Sequence, residues 1–273
     1  MTAVAWAEAL VAMLAAGLVA GFAGGLFGIG GGFVVVPALF AVLPLLGGSP
    51  DELAHVAIGT SLATIVATSI RSVHAHAKRG AVDFEVLRSW APWIVLGVGG
   101  GVLLAARVPG AGLAAIFGTG VLIMALHFLF PLLAERQLAT AMPGGAARAG
   151  IAGGLGAFSS LLGIGGGTIA IIVMTLCGKS IHRAIATASG IGAIIAIPGV
   201  IGFIAIGLGK PGLPFGSLGF VNLPAALVVT STTLISAPWG VAAAHALSPS
   251  LLRRIFGLYL VLIGIVMIRN GLK

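Results

Sequence analysis

Long apolar runs alternate with short polar or glycine- and proline-rich interruptions along this chain. The runs cover roughly residues 4–25, 31–46, 53–75, 86–106, 111–133, 149–162, 167–178, 184–208, 222–246 and 251–269. A helix needs about 20 residues to cross about 30 Å of hydrocarbon, and most runs reach that length. The runs 31–46, 149–162 and 167–178 are short. They flank a string, Gly-Ile-Gly-Gly-Gly, that occurs twice. The pattern predicts an all-α integral membrane protein of ten hydrophobic segments, or of eight full spans plus two hairpin pieces.

The chain repeats internally. Phe27-Gly28-Ile29-Gly30-Gly31-Gly32 matches Leu162-Gly163-Ile164-Gly165-Gly166-Gly167, His55 to Thr60 matches His182 to Thr187, and Ile116-Phe117-Gly118 matches Ile255-Phe256-Gly257. The offsets, 135, 127 and 139, are nearly equal and keep one order. We therefore divide the chain into a first repeat, 1–133, a polar linker, 134–148, and a second repeat, 149–273. Five segments per repeat is an odd number, so the second repeat is expected to insert upside down. Inverted repeats of this kind are common in secondary transporters.

Composition narrows the class. Hydrophobic residues make up 59% of the chain and charged residues 7%, against about 25% charged in soluble domains. Lipid must cover what charge cannot. The 44 glycines have no period of three, which excludes collagen, and they suit close helix packing in a membrane. The net charge of +8 comes from dispersed Lys and Arg with no basic stripe, so no nucleic-acid partner is expected. Cys177 is the only cysteine, which rules out an intrachain disulfide. The N-terminus lacks a basic region before its first apolar run and reads as a membrane segment, not a cleaved signal.

Orientation follows from the cations. Ten crossings place Lys78, Arg79, Arg88, Arg136, Arg148, Lys179, Arg183, Arg253 and Arg254 on one side. Arg107, Lys210, Arg269 and Lys273 lie on the other. Fusing each short hairpin into one span weakens that bias. The ten-segment reading puts both termini outside a cell inner membrane and the linker in the cytoplasm.

The two glycine hairpins, Gly21 to Gly32 and Gly154 to Gly167, resemble those of the TauE/SafE family of sulfite exporters and toluene-sulfonate uptake permeases. The Gly59-Thr60-Ser61 and Thr187-Ala188-Ser189 segments look similar too. The resemblance covers nearly the whole chain. It implies transport of a small anion, often a sulfur oxyanion or an organosulfonate. One departure stands out: Pro37 follows the first string, but Ile172 holds the matching place in the second.

A helix broken by glycines must face protein or a wet cavity, because unsatisfied backbone groups in hydrocarbon cost several kcal/mol. A helix restarting after the break presents free N–H donors and about half a positive charge. Two such starts from opposite faces would converge on one anion. The candidate substrate ligands are therefore Gly28, Gly30, Gly31, Gly32, Gly163, Gly165, Gly166, Gly167 and Thr168. The alternative use of the same glycines is tight helix packing.

Four hydroxyls, Thr60, Ser61, Thr187 and Ser189, form a second set. Each could instead bond a carbonyl one turn back in its own helix. Ser159 and Ser160 have no matched hydroxyls in the first repeat and rank lower. Arg71, His55 and His182 are weaker candidates still. Arg71 can snorkel to headgroups, and both histidines sit at helix starts.

Only six acids are present, and Glu8 alone lies within an apolar run, so no ion-coupling site stands out. No catalytic triad or metal cluster is visible, and no enzyme activity, cofactor or metal is expected. The leading reading is a secondary transporter or facilitator working by alternating access. Its alternatives are an anion channel without ion coupling and a membrane assembly partner that transports nothing. The substrate, the direction of transport and the oligomeric state are not legible.

Overall fold

The structure is a computed structural model that describes residues 3–27, 31–130, 137–246 and 248–272. Its helices are α1 (Ala3–Phe27), α2 (Gly32–Val42), α3 (Leu53–Ala77), α4 (Phe84–Ala105) and α5 (Gly110–Leu129), then α6 (Gly145–Leu162), α7 (Gly167–Leu176), α8 (Ile181–Gly207), α9 (Leu223–Ala246) and α10 (Pro249–Gly271). A 3-10 turn, Leu43–Leu46, extends α2. Two short antiparallel strands, β1 (Ser217–Leu218) and β2 (Val221–Asn222), precede α9. Each expected apolar run corresponds to a helix.

Among the described residues, six helices are individually long and apolar enough to cross a bilayer: α1, α3, α4, α5, α8 and α10. Val11, Leu96, Leu103, Ile201 and Leu227 stand exposed on the outside, as a lipid-facing surface requires. The chain is thus a multi-pass membrane protein. With 10 residues, α7 rises about 15 Å, half the hydrocarbon thickness. It cannot cross alone.

The helix neighbours follow a rule. α1 packs on α9 and α4 on α6, while α3 packs on α8 and α5 on α10. Exchanging the first five helices for the last five maps this set of pairs onto itself. Many glycines serve these contacts. A Cβ on Gly17 would come within 2.9 Å of the Val229 Cα, and one on Gly21 within 2.6 Å of the Thr233 Cα, both in α9. On the matching pair, a Cβ on Gly97 would meet the Gly153 Cα at 2.9 Å, and one on Gly101 would meet the Ala157 Cα at 3.1 Å. Backbones this close need small residues.

Two latches cross between the halves. The Asn222 backbone N–H donates to the Thr60 hydroxyl at 2.9 Å, and the Asp83 backbone N–H donates to the Thr187 hydroxyl at 2.9 Å. Each donor residue also caps the helix that follows it. The Asn222 Oδ1 accepts from the Ala225 N–H, and the Asp83 Oδ1 accepts from the Val86 N–H. Side-chain caps satisfy helix-start donors that would otherwise stay unpaired.

Candidate functional site

Both hairpins break in the same way. Gly31 precedes α2 with φ +75°, and Gly166 precedes α7 with φ +65°. Only glycine takes these left-handed values without strain, and the two positions match at the repeat offset. α6 itself ends on Gly163, also left-handed at φ +62°.

The two breaks touch. A Cβ on Gly32 would lie 2.9 Å from the Gly163 carbonyl oxygen and 3.0 Å from the Ile164 Cα. The Ser61 hydroxyl of α3 donates to that same carbonyl at 2.8 Å, pairing a group the helix end leaves free. Gly165 fits between Ile65 of α3 and Gly192 of α8, its Cβ position 3.2 and 3.4 Å from them. The second break is therefore clamped by the central pair α3 and α8.

At the start of α7, no atom of another described element lies within 4 Å of where a Cβ on Gly167 would point. Two buried hydroxyls lie on the elements that meet here, on Ser159 in the last turn of α6 and on Thr168 in the first turn of α7. They are 0% and 7% exposed, and neither finds a hydrogen-bond partner among the described residues. The Ser159 Oγ lies 2.9 Å from the Cβ position of Gly166, which places it against the helix start. Buried hydroxyls are almost always paired, which sets these two apart from the other buried hydroxyls with a described partner.

The other candidates are distributed differently. Gly28 and Gly30 lie outside the described residues. The Thr60 and Thr187 hydroxyls are engaged by the latches. Ser189 donates to the Ala186 carbonyl of its own helix at 2.7 Å. His55 is buried, with Nε2 3.0 Å from the Ala105 carbonyl oxygen and its ring stacked on Phe220. Arg71 and His182 are exposed. Ser160 donates to the Ala157 carbonyl and stays local. Thus Gly163 meets Gly32 and Ser61 where the breaks touch, Gly165 to Thr168 follow it into α7, and Gly31 heads the helix that Gly32 opens.

The first hairpin is built otherwise. At the offset that pairs the glycines, Ser159 and Thr168 correspond to Gly24 and Phe33. Phe33 is buried beside Phe256, with ring centroids 6.2 Å apart. Pro37 lacks an N–H and leaves the Phe33 carbonyl, four residues back, without its helical donor. The Tyr259 hydroxyl of α10 donates to that carbonyl at 3.4 Å. Tyr259→Phe should therefore cost about 1 kcal/mol in thermal unfolding. The cost should vanish when Pro37→Ala restores the N–H. An equal cost in both backgrounds would refute this coupling.

Apolar helices arranged in exchanged pairs around two touching helix breaks define a polytopic membrane protein. The chain belongs to the sulfite exporter TauE/SafE family, whose sequence profile matches residues 13–267. It is 35% identical over 254 residues to a "probable membrane transporter protein" of Haemophilus influenzae, covering 92% of this chain and 95% of that one. A protein of the same description from Methanocaldococcus jannaschii is 27% identical over 269 residues, covering 94% of each chain. No solved structure matches. The protein is a membrane transporter by family.

Proposed function

We propose that the protein moves a small anion, a sulfur oxyanion or organosulfonate, by alternating access around the paired hairpins. The observation that carries this reading is the pair of buried hydroxyls of Ser159 and Thr168 beside the start of α7, which find no partner among the described residues. Such a site offers donors and no acceptor charge, which suits an ion with several acceptor oxygens. The family's description as sulfite exporters supports the substrate class. The exchanged helix pairs support two repeats of opposite orientation, as in other transporters. On this reading both termini lie outside an inner membrane, and Lys78 faces the cytoplasm.

Reconstitution in liposomes tests the proposal. Preloaded organosulfonate should accelerate uptake of labelled substrate, with saturation. A cysteine introduced by Lys78→Cys should be labelled only from the cytoplasmic side. Ohmic anion conductance without counterflow would sink the carrier mechanism, and labelling from outside would sink the orientation.

A further inference from the structure

His55 stands in the first turn of α3, 5% exposed, and three contacts define its ring. Nε2 lies 3.0 Å from the Ala105 carbonyl oxygen at the end of α4. A carbonyl only accepts, so Nε2 carries a hydrogen. Nδ1 is buried and has no hydrogen-bond partner among the described residues. The Glu52 Oε2, on the residue that precedes the helix, lies 3.7 Å from it. The ring is stacked on Phe220, with centroids 4.7 Å apart and planes 25° from parallel.

With Nε2–H committed to the carbonyl, a neutral ring presents a bare lone pair at Nδ1. That lone pair and the carboxylate are both acceptors, and neither satisfies the other. A proton taken from water onto Nδ1 improves both contacts. It sets a donor opposite a carboxylate, and it places a cation against the face of Phe220. Histidine is the side chain whose charge ordinarily changes between about pH 5 and 8.

The ring also touches the hairpin that carries one of the latches. Phe220 lies in the turn between β1 and β2, and its N–H donates to the Phe203 carbonyl of α8 at 3.1 Å. Two residues on, the Asn222 N–H donates to the Thr60 hydroxyl of α3. The second repeat differs. His182, the match of His55, is exposed, and the Asp83 latch has Lys179 and Arg183 beside it instead.

The other ionisable groups stand apart. Asp51, Arg107 and Lys210 occupy the adjoining turns and are exposed. On α3 itself, Arg71 lies about 24 Å further along. α2, the 3-10 turn and β2 carry no ionisable side chain. His127 of α5, Arg148 of α6, His182 and Arg183 of α8 and His245 of α9 lie at least about 20 Å along their helices from the ends that meet this region. Glu85 and Arg88 of α4 lie as far from Ala105. Among the described residues, Glu52 is the carboxylate placed to share a proton with His55.

We propose that His55 and Glu52 together bind one proton, and that the bound proton holds the Asn222 latch closed. The site is separate from the anion site at the helix breaks and is tested without substrate.

The test uses nuclear magnetic resonance of the full chain in detergent micelles, with nitrogen-labelled histidine and backbone. At about pH 5 both ring nitrogens of His55 should carry protons, and at about pH 8 only Nε2 should. Glu52→Gln leaves the ring and its Ala105 contact in place. At a fixed pH between these limits it should lower the doubly protonated fraction by about threefold. Protection of the Asn222 amide against hydrogen exchange, relative to its intrinsic rate, should fall about tenfold from the lower pH to the higher. Protection of the Asp83 amide should not change, because no buried histidine touches that latch. A bare Nδ1 across the whole range would overturn the proton site, and an unchanged fraction in Glu52→Gln would overturn the pairing. A ring that titrates while Asn222 protection stays constant would overturn the link to the latch.

Discussion

Gly167→Val is expected to lower anion uptake by about a hundredfold or more while leaving the melting temperature unchanged or raised. Both halves of this expectation follow from position. Gly167 is the first residue of α7, and a Cβ there meets no atom of another element within 4 Å among the described residues. Valine is also a better helix former than glycine by a few tenths of a kcal/mol. The protein loses only the space beside Ser159, Thr168 and the first N–H groups of α7. Removing one preorganised donor from an anion commonly costs a factor of about 10² to 10³ where charge must be stabilised. Excluding the ion from all of them costs no less. Gly31 and Gly166 are poorer test positions, because their positive φ penalises any side chain. Lost uptake there would mix strain with lost binding.

Asp83→Ala should destabilise the protein by about 2–3 kcal/mol, the largest stability effect expected of a single charged residue here. The carboxylate does two jobs. It caps α4 through the Val86 N–H, and loss of such a cap costs about 1 kcal/mol. Its other oxygen accepts from the Lys179 Nζ at 2.9 Å and faces the Arg183 Nε at 3.4 Å. The carboxylate is buried, but the lysine is about a third exposed and the arginine about half. The ion pairs therefore contribute only about 1–2 kcal/mol after solvent screening. Burial alone would raise the Asp83 pKa. The hydrogen bonds from Lys179 and Val86, with the charges of Lys179 and Arg183, outweigh it and hold the group below the ordinary aspartate range. The sign for stability follows. A depressed pKa contributes stability that is present above the unfolded value, near pH 4, and is lost as pH falls through the folded value. The protein should therefore lose stability below about pH 4, and Asp83→Ala should flatten that loss.

A milder variant separates the two jobs. Asn222 occupies the matching latch without a charge and still caps its helix. Asp83→Asn should keep the cap and lose only the ion pairs, at about half the cost of Asp83→Ala. Equal melting temperatures for the two variants would show that the cap contributes nothing, and a wild-type melting temperature for Asp83→Asn would show that the ion pairs contribute nothing.

The helices were legible because their signal is long and redundant. An apolar run of about 20 residues with polar ends has few other readings. The touching of the breaks was legible in outline, since the glycine strings sit at matched points of the repeat. The roles of the hydroxyls were harder to read. Thr60 and Thr187 are matched by the repeat, and they serve matched latches whose donors, Asn222 and Asp83, lie 162 and 104 residues away. No local pattern announces such a partner.

In the sequence Ser159 carries little signal because Gly24, its counterpart, has no hydroxyl. The same mismatch is informative in the other direction. A single small anion needs no two-fold symmetry, so donors can come from one hairpin while the other supplies Phe33 and its aromatic neighbours. The useful signal was the pair of differences, Gly24 against Ser159 and Phe33 against Thr168, at an offset where the glycines agree. Glycine identity alone was ambiguous. Gly17, Gly21, Gly97 and Gly101 bring helix backbones together, whereas Gly167 meets no other element among the described residues. Only the three-dimensional surroundings separate those uses.

The central claim is that the helix break at Gly167 holds the anion. It is tested most directly by thermal unfolding of the wild type and of Gly167→Val with and without methanesulfonate. Binding to the native state alone raises stability by about 2.7 kcal/mol at a hundredfold excess over the dissociation constant. The account predicts a rise in melting temperature for the wild type and none for Gly167→Val. An equal rise in both proteins would contradict it and place the anion elsewhere.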